Sequence, residues 1–148
     1  MRTGFRTVAA GVVALAVAGT AALAQGDVIA QRREGMKRMA QHMQAMKAVV
    51  DNRGDVRPQT ERIDDMLAWY REELKLFPAG SDRGDTRALP AVWTDNAGFV
   101  QANAVTVAHL QRLRAAAASG DQAAFAQAYQ ETGASCGACH RTYRAAPR

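Results

Sequence analysis

The sequence predicts an all-α fold, an antiparallel four-helix bundle with one long loop between helices two and three. Four stretches repeat apolar residues at steps of three and four, which is the period of an amphipathic helix. No stretch shows the apolar–polar alternation of a strand, and glycine and proline are concentrated around residues 54–58 and 78–90. Four helices of about 20 residues, with one long join among shorter ones, match bundles that use a single long connection.

The first 24 residues have the layout of a secretory signal peptide. Arg2 and Arg6 precede an uncharged, Ala/Val-rich run that ends at residue 24 in an A-x-A cleavage pattern. An uncleaved membrane anchor is the alternative, because the run is about long enough to span a bilayer. We expect cleavage, so that residues 1–24 are a leader and residues 25–148 are one small periplasmic domain with no stable membrane span.

Charge and composition argue against nucleic acid as a partner. The chain has 148 residues and a net charge of +5, of which two positive charges belong to the leader. Acids are mixed among the bases of the remaining domain, and no basic run is interleaved with aromatic residues.

Helix one is predicted from about residue 28 to residue 50. Its apolar stripe steps by three and four residues through Met36, Met39, Met43, Met46 and Val50. Methionines at this spacing usually fill a core, and we expect Met39, Met43 and Met46 to do so.

The other three helices follow from the same spacing and from their terminal residues. Helix two is predicted from about residue 58 to residue 77, where Pro78 ends it and the long loop to Trp93 begins. Trp93 is expected to anchor this loop on the bundle. Helix three should run from about residue 94 to residue 118. Its inward residues are predicted to be Phe99, Val100, Leu110 and Leu113. Gly120 and Asp121 suit the end of helix three and the N-cap of helix four, which is predicted over residues 122–144.

The segment "SCGACHRTYR" near the C-terminus contains both cysteines of the chain. On a helix, Cys136, Cys139 and His140 stand at i, i+3 and i+4 and share one face. A disulfide is hard to form inside a regular helix, and a structural zinc site needs four ligands where only three are local. C-x-x-C-H in an exported chain instead predicts one covalently attached c-type haem, with a C-x-x-C disulfide as the alternative.

The helix pattern together with three segments resembles the class II cytochromes c, the cytochrome c' family. The segments are "QRREGMKRM" in helix one, "FPAGSDRGDTRALPAVW" in the long loop and "GASCGACHRTYR" at the end of helix four. The resemblance implies that Cys136 and Cys139 form the thioether bonds to haem c. It also implies that His140 is the proximal iron ligand.

The resemblance places the distal residue of the haem in helix one, at Met36. Most family members leave the iron five-coordinate and high-spin under an apolar side chain, and can bind nitric oxide or carbon monoxide. A low-spin branch uses a helix-one methionine as the sixth ligand. The "MK" after "RRE" and the long loop look more like this branch, so ligation of the iron by Met36 is the main expectation and gas binding is the alternative.

Three further residues are expected near the haem. In the family, arginines at the places of Arg32 and Arg144 approach the haem propionates, with which a guanidinium can pair bidentately. Tyr143 is expected either to pack on the haem edge or to fill the core.

The predicted function is therefore that of an exported one-electron carrier whose partners are redox proteins. Small gas ligands are the partners in the alternative. An enzyme is not expected, because no acid–base pair in helix one is placed like a peroxidase distal site. Family members are often homodimers through the first two helices, which makes a homodimer a further expectation of the resemblance.

Overall fold

The computed structural model describes residues 11–146, with side chains from residue 28 onward, and it confirms the predicted all-α bundle. Single turns of 3-10 helix flank the second helix, at Arg57–Gln59 and Glu73–Leu76. The α-helices are α1 Gly11–Asp51, α2 Thr60–Glu72, the one-turn α3 Ala91–Thr94, α4 Asn96–Ser119 and α5 Gln122–Tyr143. Within residues 11–146, none of the helices is both long enough and apolar enough to cross a membrane.

Helix α1 begins earlier than the sequence predicted. It is continuous from Gly11, whereas the predicted start was about residue 28. The segment that precedes residue 28 is rich in alanine, the residue with the highest helix propensity, so local propensity continues the helix. The predicted leader, residues 1–24, lies outside the residues whose side chains the structure describes, and both its cleavage and the periplasmic location stay predictions.

The predicted caps between α4 and α5 are confirmed. Gly120 ends α4 with φ of 76°, in the left-handed region that a side chain disfavours. Asp121 then caps α5, since its carboxylate accepts a hydrogen bond from the Ala124 amide at 2.9 Å. Asp95 caps α4 in the same way, by accepting from the Gly98 amide at 3.3 Å.

The main core lies between the four long helices. Met39 and Met46 of α1 are buried in it and Met43 packs against it, which confirms their predicted role as core residues. Phe99, Leu110 and Leu113 of α4 are buried as predicted. Val100 was predicted to point inward, and this prediction is wrong, because its side chain is 41% exposed. It follows Phe99 directly, and neighbours in a helix point in directions about 100° apart.

Helices α1 and α2 approach closely at a glycine. A Cβ atom at Gly35 would lie 2.1 Å from Nε1 of Trp69, so only glycine permits the observed contact between the two helices. The ring of Trp69 also packs edge-on against Tyr70, with the centroids 5.0 Å apart. Gly35 therefore fixes the position of α1 one residue before Met36.

The long loop is held at both of its ends. Trp93 donates from Nε1 to the carbonyl oxygens of Phe77 and Pro78, each at 3.1 Å, which confirms its predicted role as an anchor. Near its C-terminal end the loop forms an antiparallel bridge between Ala88 and Arg144 at the end of α5. The loop therefore lies directly against the segment that carries the C-x-x-C-H motif.

Candidate cofactor site

One cavity of about 700 Å³ collects nearly all of the predicted site residues. It lies between α1, the long loop, the start of α4 and the end of α5. Of the seven residues predicted from the sequence, six line it: Arg32, Met36, Cys139, His140, Tyr143 and Arg144. Cys136 is not in the wall and instead lies beside Tyr70, with its sulfur 3.9 Å from the tyrosine hydroxyl.

The haem-box residues lie on one uninterrupted helix. Helix α5 runs through Gly133 and Gly137 to Tyr143, so Cys136, Cys139 and His140 have the predicted helical spacing. Both cysteines are half-buried free thiols. Burial raises the pKa of both, that of Cys139 to about 11. A protonated thiol is a poor nucleophile for disulfide exchange, so these pKa values argue against a redox-active C-x-x-C pair.

His140 is held in the form that can bind a metal. Burial lowers its pKa, and the cationic side chains of Arg144 and Arg87 lower it further. The imidazole is therefore neutral at pH 7 and keeps a lone pair on one nitrogen, which is what an iron ligand requires. Among the described residues, no group of three His, Cys, Asp or Glu side chains is arranged to hold a metal ion.

Arg87 is a site residue that the sequence reasoning missed. It lines the cavity, and its backbone carbonyl accepts a hydrogen bond from the Ala145 amide at 2.8 Å. The Leu89 amide donates in turn to the Tyr143 carbonyl at 3.0 Å. These bonds place Arg87 beside Arg144, so that two cations face the rim near His140. A basic residue in the long loop could have been noticed in the sequence, but only the path of the loop shows that it lies at the cavity.

Met36 lies in the wall of the cavity that also contains His140, as the resemblance implied. Its side chain is half-buried, and it follows Gly35 at the closest approach of α1 to α2. Phe77, Val92 and Phe99 contribute apolar side chains to the same cavity. This position is compatible both with a thioether bond to iron and with a side chain that merely covers it.

Arg32 binds the long loop. Its Nη1 donates to the Leu76 carbonyl at 2.9 Å and to Ser81 Oγ at 2.8 Å. Its Nη2 donates to the Ser81 carbonyl at 2.8 Å and to Thr86 Oγ1 at 3.1 Å. The guanidinium carbon also lies 4.6 Å from the centre of the Phe77 ring. These bonds use all four N–H groups of the two terminal nitrogens, so only Nε–H is left for the predicted haem propionate.

Tyr143 both lines the cavity and fills a small core. Its ring packs edge-on against Phe99, with the centroids 5.3 Å apart, and Phe99 packs likewise against Phe77 at 4.8 Å. The hydroxyl donates to Asp95 Oδ2 at 2.8 Å. The two expectations for this residue are therefore compatible.

Glu73 is a second residue that the sequence reasoning missed. It is 3% exposed, and its Oε1 accepts a hydrogen bond from Asn103 Nδ2 at 2.6 Å. Its Oε2 is buried with no hydrogen-bond partner. Burial raises the pKa of Glu73 to about 7, although the bond from Asn103 acts in the opposite direction. The sequence did contain a sign that Glu73 is buried, because it follows Met66 and Tyr70 at the helical spacing of the apolar stripe.

The residues of the cavity fit a haem. A volume of about 700 Å³ is in the usual range for a cofactor pocket, and its walls combine aromatic rings with a few charged groups at the rim. The donor set is a neutral imidazole and a thioether from two different helices. Two free thiols on the helix that carries the imidazole are available as attachment points.

Comparison with known proteins decides the family. The family model for cytochrome c' matches residues 27–144. The chain belongs to the cytochrome c' family. The cytochrome c' of Rubrivivax gelatinosus is 33% identical over 122 residues, which cover 80% of this chain and 95% of that protein. The cytochrome c-556 of Agrobacterium tumefaciens is 33% identical over 119 residues, which cover 77% of this chain and 94% of the relative.

A solved structure from the cytochrome c' family agrees with the fold. It is the nitric oxide complex of a leucine-to-alanine variant of cytochrome c' from Alcaligenes xylosoxidans. It superposes with a TM-score of 0.76 at 29% identity, and the match covers 83% of this chain and 97% of that one. The four-helix bundle predicted from the sequence is thus the bundle of this family.

Membership of the cytochrome c' family gives the cofactor, which is haem c. Cys136 and Cys139 are the only cysteines of the chain and therefore the residues available for its two thioether bonds. The protein is accordingly a haem protein of the electron-transfer type. The individual roles predicted for His140, Met36, Arg32, Arg144 and Tyr143 rest on their positions in the cavity.

Proposed function

We propose that the chain is an exported haem protein that has an open distal site for a small diatomic gas, with His140 as the proximal ligand and Met36 as a cover. The main expectation from the sequence was a plain electron carrier with Met36 bound to iron. The comparisons favour the alternative, because several of the similar structures are nitric oxide complexes of single-leucine variants of cytochrome c' from Alcaligenes xylosoxidans. This is the observation that carries the proposal.

The cavity supports this function. Phe77, Val92 and Phe99 give it an apolar interior that suits an uncharged diatomic molecule such as nitric oxide or carbon monoxide. The bound haem supplies an iron that can change oxidation state by one electron and accept a gas ligand.

The chain's own residues orient the site. Lowering of the pKa keeps His140 neutral for ligation, and Gly35 fixes the backbone before Met36. Arg32 holds the loop over the cavity through its four hydrogen bonds. Arg87 and Arg144 face the rim, where they can pair with the haem propionates.

The role of Met36 can be tested by the kinetics of carbon monoxide binding to the ferrous haem protein. We expect Met36→Ala to speed carbon monoxide association several-fold and to leave the spin state unchanged, because a cover is shortened and no ligand is lost. Met39→Leu is the matched control, since Met39 is buried in the core and does not line the cavity. Conversion of a low-spin spectrum to a high-spin one by Met36→Ala would instead show that Met36 is a ligand.

The second candidate function is a plain electron carrier in which Met36 is the sixth ligand of the iron. Its support is the position of the Met36 side chain in the same cavity as His140. A thioether ligand favours ferrous iron and raises the reduction potential.

In both cases we propose a periplasmic protein that exchanges electrons with redox partner proteins and is not an enzyme. A homodimer through α1 and α2 is part of the same proposal, and the molar mass in solution tests it.

A further inference from the structure

We propose that Glu73 takes up a proton from solvent when the haem iron is reduced, so that this protein couples proton uptake to electron uptake. The inference rests on the proposed function only in that the iron cycles by one electron. It holds whether or not Met36 binds the iron.

The Glu73 carboxyl group is buried away from charged partners. It is 3% exposed, and within the described residues only burial and the Asn103 amide, with no cation, shift its pKa. In the described part of the chain, its single hydrogen bond comes from the neutral amide of Asn103, and Oε2 has no partner. Burying a carboxylate without a cation carries a large cost in desolvation free energy, whereas burying the protonated carboxyl group in the same place costs much less.

Glu73 is also linked to the haem box through its neighbours. Asn103 Nδ2 donates both to Glu73 Oε1 at 2.6 Å and to the Tyr70 carbonyl at 3.0 Å, and the Tyr70 hydroxyl lies 3.9 Å from Cys136 Sγ. The negative charge of Glu73 also raises the pKa of both Cys136 and Cys139. Those sulfurs would form the two thioether bonds to the haem. Reduction removes one positive charge from the haem and so weakens the stabilisation of a nearby carboxylate.

The groups around Glu73 do not neutralise its carboxylate, so its protonation can follow the charge of the haem. Helix α2 contributes Tyr70, α4 contributes Asn103, and α5 contributes the two cysteines. Helix α1 contributes Arg32, which donates to the Leu76 carbonyl at the end of the 3-10 turn that begins with Glu73, and its other terminal N–H groups are bonded to the loop. The pKa of Glu73, raised by burial to about 7, puts the protonation change in the neutral range.

The charge balance is simple. Fe(III) gains one electron from an external one-electron donor and becomes Fe(II). In the same event the Glu73 carboxylate gains one proton from solvent and becomes a carboxylic acid. Reoxidation by an external acceptor releases both.

The test is the midpoint potential of the haem protein, measured against pH in a spectroelectrochemical titration. For the natural protein we expect the potential to fall as pH rises from about 6 to about 8, around the pKa of Glu73. Glu73→Gln should abolish this dependence. Glu72→Gln is the matched control, because Glu72 is the exposed neighbour paired with Lys75, and it should retain the dependence.

A second variant keeps the test decisive if Glu73→Gln fails to fold. The Asn103 amide stabilises the ionised form of Glu73, so Asn103→Leu should move the pH-dependent range upward. A natural protein whose potential is flat around pH 7, a Glu73→Gln protein that keeps the slope, or an unmoved range in Asn103→Leu would each overturn the inference. An iron that cannot be reduced reversibly would defeat the proposed electron transfer instead.

Discussion

The buried carboxyl group of Glu73 makes the stability of the protein depend on pH in an unusual direction. Burial raises its pKa from the ordinary value of 4.5 to about 7. Between those values the folded chain keeps a proton that the unfolded chain has lost. Stability from this group is therefore complete below pH 4.5 and is lost as pH rises through about 7.

The size of the loss follows from the two pKa values. Their separation corresponds to about 3 kcal/mol, because the group is almost fully removed from water. Glu73→Gln removes the titration and keeps an oxygen that can accept the bond from Asn103. The new amide places an N–H pair where Oε2 has no partner, which costs about 1–3 kcal/mol at every pH.

The assay is urea unfolding of the ferric haem protein at several pH values. The free energy of unfolding of Glu73→Gln, relative to the natural protein, should be about 3 kcal/mol more favourable at about pH 8 than at about pH 4.5. Glu72→Gln should show no comparable difference, since Glu72 is exposed. A constant difference between Glu73→Gln and the natural protein across this range would refute the reasoning, because it would mean that Glu73 titrates normally.

Substitutions at three further positions test the helix packing, one cap and the hydrogen bonds that hold the loop. Gly35→Ala places a Cβ atom against the Trp69 ring and should cost about 1–3 kcal/mol in urea unfolding; an unchanged midpoint would contradict the close approach of α1 and α2. Asp121→Ala should cost about 1 kcal/mol and Asp121→Asn much less, because asparagine can still cap α5. Arg32→Lys should make the loop 78–90 more sensitive to limited proteolysis. If the natural protein were cleaved there at the same rate, the four hydrogen bonds of Arg32 would not be what holds the loop.

The helices and the haem box could be predicted because their signals are local. A stripe such as Met39 to Met46 follows from helical geometry, and Gly120 with Asp121 marks a helix end wherever it occurs. The start of α1 could not be placed, because the alanine-rich segment before residue 28 continues a helix as well as the residues after it do. At the edge of an apolar stripe, as at Val100, periodicity alone does not show whether a side chain is buried or exposed.

The residues that were missed depend on contacts distant in sequence. Glu72 and Glu73 are adjacent and identical, yet one is exposed and the other is buried beneath an amide from α4, 30 positions away. Arg87 lies in a loop without periodicity, and only its bridge to the end of α5 brings it to His140. Arg32 was correctly placed at the cavity, but the loop oxygens that engage it could not be foreseen from spacing.

Charged and titratable residues lie around the candidate haem site. Two cations, Arg87 and Arg144, stand on the side of His140, and one titratable carboxyl group, Glu73, stands behind Cys136 and Cys139. The cations favour the neutral imidazole and can pair with propionates at the rim. The Glu73 carboxyl group, with its pKa raised to about 7, would add a charge that changes near neutral pH, as the proposed coupling requires.

The most direct test of the open distal site is the absorption spectrum of the natural ferrous protein before and after carbon monoxide is added. The proposed function predicts a broad high-spin spectrum that changes readily on addition of the gas, because Met36 covers the iron without binding it. A narrow, split low-spin spectrum that carbon monoxide does not alter, with the methionine-to-iron charge-transfer band in the ferric protein, would contradict it.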